Sequence, residues 1–126
     1  MAEETIPPEL RRFILATLPS VPHLEALLLL RERPQGLALD ELAARLYVAP
    51  STASKLAADL ANAGIVAVGD DRAHYAPPRD DVRATVDTLA AVYARNVVAV
   101  SRLIHSTTDR KAFQFADAFR LRKEGE

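Results

Sequence analysis

The chain has 126 residues, a formal net charge of −1 and no cysteine. That length suits one domain with a buried core and little more, and the missing thiols exclude a disulfide framework, a thiolate nucleophile and a thiolate metal site. The charge is balanced, where many small nucleic-acid-binding domains are clearly basic.

The N-terminus, MAEETIPPEL, is acidic where a secretory signal is basic and then apolar. The longest apolar run, around Leu27 to Leu30, is far too short to span a bilayer. The expectation is a cytoplasmic protein with no membrane partner. Glu9 to Leu18 reads as a short helix with Leu10, Phe13, Ile14 and Leu18 on one face, entered through Pro7 and Pro8 and ended by Pro19. Ser20 is the expected N-cap of the next helix, HLEALLLLRER, which stops at Pro34 and Gly36. Leu24, Leu27, Leu28 and Leu30 give it a wide apolar face, as a central scaffold helix needs.

Leu37-Ala38-Leu39 is a candidate short strand. Asp40 is then expected to cap a helix over Glu41 to Leu46, with Leu39, Leu42, Ala43 and Leu46 facing inward. After the turn Tyr47-Val48-Ala49-Pro50, Ser51 is expected to cap a second helix that ends near Ala63, with Gly64 as the stop. Ala43 and Ala53 are small where the two helices would cross. Ile65 to Val68 is β-branched and reads as a strand. Gly69-Asp70-Asp71-Arg72 is a turn signal, and Ala73 to Ala76 pairs back before Pro77 and Pro78.

Asp80 and Asp81 favour a helix start. A single long helix is expected from about Asp81 to His105, since no proline or glycine interrupts it. At about 1.5 Å per residue it would be roughly 35 Å long. Val82, Val86, Leu89, Tyr93, Val97, Val100 and Ile104 form its apolar stripe, and Asn96 lies beside that stripe. The stripe suits a dimer interface, or a hairpin with the terminal helices of the same chain. Ser106 to Asp109 breaks the helix before a last one, RKAFQFADAFRLRK, where Phe115 and Phe119 share a face and extend the dimer surface. Phe113 lies off that face. Arg110, Lys111, Arg120, Arg122 and Lys123 make a basic cluster that reads as a solvated terminus or an auxiliary phosphate patch.

The fold class that follows is mainly α with a small β-hairpin: a winged helix-turn-helix, an N-terminal helix and long C-terminal helices. The expected division is an N-terminal helical extension over 1–19, the winged helix-turn-helix over 20–78 and a C-terminal helical dimerisation region over 79–126. Residues 20–78 hold five Lys/Arg against seven Asp/Glu, whereas 79–126 hold nine against seven, so the positive surplus lies outside the helix pair.

The DELAARL helix, the VAPSTASKLAADL helix and the AGIVAVGDDRAHYAP hairpin resemble the winged helix of MarR-like bacterial transcription regulators. HLEALLLLRER and FADAFRLRK are similar to segments of small uncharacterised bacterial winged-helix proteins. The MarR resemblance implies a homodimer that binds double-stranded DNA, often under a small ligand.

On the outward face of the second helix stand Thr52, Ser54, Lys55, Ala58, Asp59 and Asn62. A winged helix presents that face to the major groove. The candidate DNA-binding residues are Ser51, Thr52, Ser54, Lys55 and Asn62, with Arg72 at the wing. The alternative is a protein-interaction module with a protein partner and no specific DNA binding, which the acidic wing and Asp59 motivate. His23, His74 and His105 sit on different elements without ligand spacing, so no metal or other cofactor is expected. No nucleophile, phosphate-loop or metal-hydrolase motif is present, which argues against an enzyme.

Overall fold

The computed structural model describes residues 6–106. α1 (Pro8–Thr17) starts on a proline, whose missing N–H is no loss in a first turn. The chain turns through 106° into α2 (Val21–Arg31). Ser20 caps α2 as expected, its hydroxyl accepting from the His23 N–H at 3.3 Å. Leu24, Ala26, Leu27 and Leu30 of α2 are fully buried, and the helix packs on the elements that follow.

β1 (Leu37–Ala38), β2 (Val66–Gly69) and β3 (Arg72–Tyr75) form an antiparallel sheet in the order β1-β3-β2. The expected two-stranded wing therefore gains a third strand, with Leu37 opposite Ala73. Gly69 pairs with Arg72 across the hairpin, and Asp70 and Asp71 both hold positive φ, 53° and 59°. A two-residue turn with both centres left-handed matches the twist of the flanking strands, and Asp tolerates it. The acidic pair is thus turn chemistry.

Two helix starts differ from expectation. α3 (Leu39–Leu46) begins before Asp40, with Ala38 at its N-cap and no side-chain cap. The reason is that the Leu39 N–H already donates to the Asp71 carbonyl in the wing turn, at 2.9 Å. Asp40 instead lies in the first turn, where its charge complements the helix dipole. α4 (Pro50–Asn62) begins at Pro50 with Ala49 at its N-cap, so Ser51 is inside the first turn rather than capping it. Proline at the first position has no donor to satisfy and a preset φ.

α3 and α4 end in the same motif. The Tyr47 N–H donates to Ala44 O and the Val48 N–H to Ala43 O. Likewise the Gly64 N–H donates to Ala61 O and the Ile65 N–H to Leu60 O. Both are Schellman closures, which place one residue in the left-handed region. At the end of α4 that residue is Gly64, at φ 85°. At the end of α3 it is Tyr47, at φ 60°, where a side chain with a Cβ costs about 1 kcal/mol or more.

The single long C-terminal helix is not observed. α5 (Asp80–Arg95) and α6 (Val97–His105) are separate, broken at Asn96 with φ −148° and ψ 67°. The Asn96 side chain accepts from the Ala99 N–H at 3.2 Å and so caps α6. The break folds α6 back onto α5, and α1 packs against both. One hydrophobic cluster runs from Leu10 to Ile104. Within it Val86, Leu89 and Val100 are 0% exposed and Ile104 2%. Those four expected interface residues face their own chain in this conformation, because α1 covers the stripe. Tyr93 is half-buried and its hydroxyl donates to Glu25 Oε2 at 3.3 Å, whereas Val97 remains 48% exposed. Phe115, Phe119, the last helix and the basic cluster lie outside the described residues.

Gly36 lets the loop before β1 approach β3 closely. Its φ is 77°, and a Cβ there would stand 2.5 Å from the Ala73 carbonyl oxygen and 2.6 Å from His74 Cδ2. A Cβ on Gly64 would meet nothing within 4 Å. Gly36→Ala is therefore expected to lose at least about 2 kcal/mol in urea unfolding, and Gly64→Ala only about 1 kcal/mol. Equal losses in the two variants would show that the backbone contact at Gly36 does not matter.

Candidate nucleic-acid interface

α4 sits where it does because of small residues. Ala53, Ala57 and Leu60 are fully buried, and α4 packs on both α2 and α3. Ala43 of α3 is buried at 3% exposure, and Val48 packs against the core below the turn. With no side chain beyond Cβ at Ala43 and Ala53, the backbones approach closely and a short turn holds the angle.

This packing turns the opposite face outward. Ser51, Thr52, Ser54, Lys55 and Asn62 are all exposed on α4, so the helix brings five of the six expected contact residues to one surface. Ser51, Thr52 and Lys55 also line an open cavity of about 470 Å³ with Ser20, Pro22, His23, Leu56 and Asp59. Ser54 and Asn62 lie on the helix outside it.

The sixth, Arg72, is placed differently from expectation. Its Nη2 donates to the Gln35 carbonyl at 3.1 Å and the Gly36 carbonyl at 3.3 Å. The guanidinium therefore ties the wing to the loop before β1 instead of extending from the wing tip, because β1 brings those carbonyls alongside β3.

Asp59 also departs from the simple outward reading. One oxygen is 2.8 Å from His23 Nε2, and Ser20 Oγ is 2.6 Å from His23 Nδ1. His23 itself is buried at 7% exposure. With Nε2 donating to the carboxylate, Nδ1 accepts from the Ser20 hydroxyl, which accepts in turn from the His23 N–H. The order of contacts is that of a hydrolytic triad, yet here the hydroxyl caps a helix and the carboxylate anchors α4. The network is a polar tie between α2 and α4. Ser20 and His23 were half visible in sequence as an N-cap and a residue three positions on, but Asp59 is 36 residues further along and no local pattern points to it.

Lys55 Nζ is 3.5 Å from both Asp59 oxygens, with its side chain 77% exposed. The His23 hydrogen bond is the main cause holding the Asp59 carboxyl below its usual range; burial opposes it and the Lys55 charge assists. Among the described residues no group of His, Asp and Glu side chains is arranged to hold a metal ion, and no single helix is long and apolar enough to cross a membrane.

Comparison with known families fits this geometry. Residues 24–69 match the IclR helix-turn-helix domain. The match runs from Leu24 of α2 through α3 and α4 to the end of β2. The chain thus carries an IclR-type helix-turn-helix DNA-binding domain, a regulatory and not a catalytic unit. The winged arrangement stands, while the matching family is IclR and not the MarR group that the sequence resembles. No curated protein and no solved structure matches the chain.

Because the folded Asp59 pKa is depressed, its contribution to stability is present above the unfolded carboxylate value, about 3.9, and is lost as pH falls through the lower folded value. Asp59→Asn should therefore flatten the loss of stability on acidification below about pH 4. His23→Ala should move the Asp59 titration, followed by carboxyl NMR, back toward 3.9. An unmoved titration would rule out the histidine as its cause.

Proposed function

We propose that the protein is a homodimeric transcription regulator that inserts α4 into the DNA major groove. The observation that supports this best is the exposed row of Ser51, Thr52, Ser54, Lys55 and Asn62 on the second helix of an IclR-type helix-turn-helix domain. Ser51 and Thr52 sit in the first turn of α4, where unpaired backbone N–H groups and the helix dipole favour a phosphate. Ser54, Lys55 and Asn62 reach base edges further along the groove. Arg72 braces the wing beside the backbone.

Pairing of two copies falls to surfaces that the core leaves open. Val97 and Val98 are 48% and 60% exposed at the start of α6, beside the α5–α6 break. A two-fold dimer built there is expected to present two recognition helices to successive major grooves, about 34 Å apart.

Selection from a random duplex library at low salt tests the reading. A palindrome with half-sites about one helical turn apart is expected. Failure of folded protein to enrich any sequence would remove specific DNA binding. On the enriched duplex, Lys55→Glu should abolish binding while the protein stays folded, with only a slight fall in melting temperature from the new repulsion with Asp59, since the side chain is mostly solvent-exposed. Normal affinity in that variant would take Lys55 out of the interface. Val98→Glu should shift the protein from dimer to monomer in sedimentation equilibrium. A dimer that persists would place the contact elsewhere.

A further inference from the structure

Tyr47 combines two features that the fold does not need. Its side chain is 94% exposed, so the ring contributes almost nothing to the core. Its backbone is left-handed, at φ 60°, a region where a bulky residue is a genuine outlier. The chain contains its own control. The same closure at the end of α4 uses Gly64, with the same pair of hydrogen bonds and a buried residue, Ile65, following it. Glycine would serve at the end of α3 as it does there. Strain held at an exposed aromatic points to a use outside the fold.

The position suggests the use. Tyr47 precedes Pro50, the first residue of α4, by one short turn. Even a fully extended chain keeps its Cα within about 14 Å of that of Ser51. A DNA strand carries one phosphate per about 3.4 Å of helix axis. A strand held at the first turn of α4 therefore has phosphates within the span that separates that turn from Tyr47. The turn itself is fixed by the Tyr47 and Val48 N–H bonds, so the phenol starts from a set backbone.

We infer that Tyr47 is a further DNA contact, its phenol hydroxyl donating to a backbone phosphate oxygen next to the groove that α4 enters. The inference rests on the DNA-binding reading above. It assigns Tyr47 to positioning on the duplex, because phosphate contacts fix register without selecting sequence.

The test compares wild type, Tyr47→Gly, Tyr47→Phe and Lys55→Ala on the enriched duplex by fluorescence anisotropy across a salt series. Tyr47→Gly should raise Tm by roughly 2–5 °C, since it relieves the left-handed position. The same variant should lose about tenfold in affinity, a hydrogen bond to a charged acceptor. Its salt slope should match wild type, because a hydroxyl releases no counterion. Lys55→Ala should instead reduce the slope by about one. Tyr47→Phe should bind as weakly as Tyr47→Gly.

Full affinity in Tyr47→Gly beside a weakened Lys55→Ala would overturn the contact and leave the DNA reading standing. Full affinity in Tyr47→Phe would overturn the hydroxyl as donor. A lower Tm in Tyr47→Gly would overturn the strain on which the inference is built. A wild-type protein that binds no duplex would overturn the DNA reading and this contact together.

Discussion

The seating of α4 on α2 is the constraint on which the rest depends. α4 packs on α2, and the side chains it buries in the shared core include two that stop at Cβ, Ala53 and Ala57, alongside the buried leucines Leu24, Leu27 and Leu30 of α2. A larger residue at either alanine would lift the helix and force core side chains from their rotamers. Because α4 is seated, its polar residues have one outward direction. Because α3 crosses it closely through Ala43, the turn between them can be short. The Ser20–His23–Asp59 chain of hydrogen bonds adds direction to this packing, since it joins only one point on α2 to one point on α4. Apolar contact tolerates sliding; a hydrogen bond of 2.8 Å does not.

The core was legible in the sequence because periodicity reports burial directly. Leu10, Ile14, Leu18, Leu24, Leu27, Leu30 and Leu42 were all marked as inward by spacing, and all are buried. Boundaries set by local chemistry were also legible, as with Ser20 and Gly64. What failed had a tertiary cause. Asp40 was an expected cap, but the sheet supplies the Leu39 N–H with a partner first. The candidate strand at Leu37-Ala38-Leu39 is present as β1, but its partner, β3, lies far along the chain, with Leu37 opposite Ala73, and could not be read locally. The break at Asn96 lay inside an unbroken apolar stripe. Asn is a strong N-cap and two β-branched residues follow it, which is a helix start hidden within an apparent helix.

The candidate site was legible to the extent that it lies on one helix face. Residues on a helix declare their neighbours by sequence spacing alone, so Ser51, Thr52, Ser54, Lys55 and Asn62 emerged together. The ties that hold Arg72 and Asp59 did not, because each is made to a partner 36 or 37 residues away. Tyr47 was passed over as a turn residue because neither its left-handed backbone nor its exposure has a sequence signature other than the absence of glycine.

The low positive charge of the helix-turn-helix takes on a different meaning once its acids are placed. Asp70 and Asp71 make the two-residue turn of the wing, Asp40 and Glu41 occupy the first turn of α3, and Asp59 anchors α4 to His23. Each has a structural reason to be there, yet each still repels phosphate. Lys55 stands 3.5 Å from the Asp59 carboxylate, which offsets part of its charge before any DNA arrives. A domain of this composition gains little from counterion release, the main source of indiscriminate binding. On the proposed reading, its affinity comes from neutral donors in fixed positions: the hydroxyls of Ser51, Thr52 and Ser54, the Asn62 amide and the first N–H groups of α4. Such donors bond well only where geometry fits. On the proposed reading, a nearly uncharged recognition helix therefore trades general attraction for discrimination, and the rigidity that Ala53, Ala57 and the His23–Asp59 bond impose on α4 is what makes that trade workable.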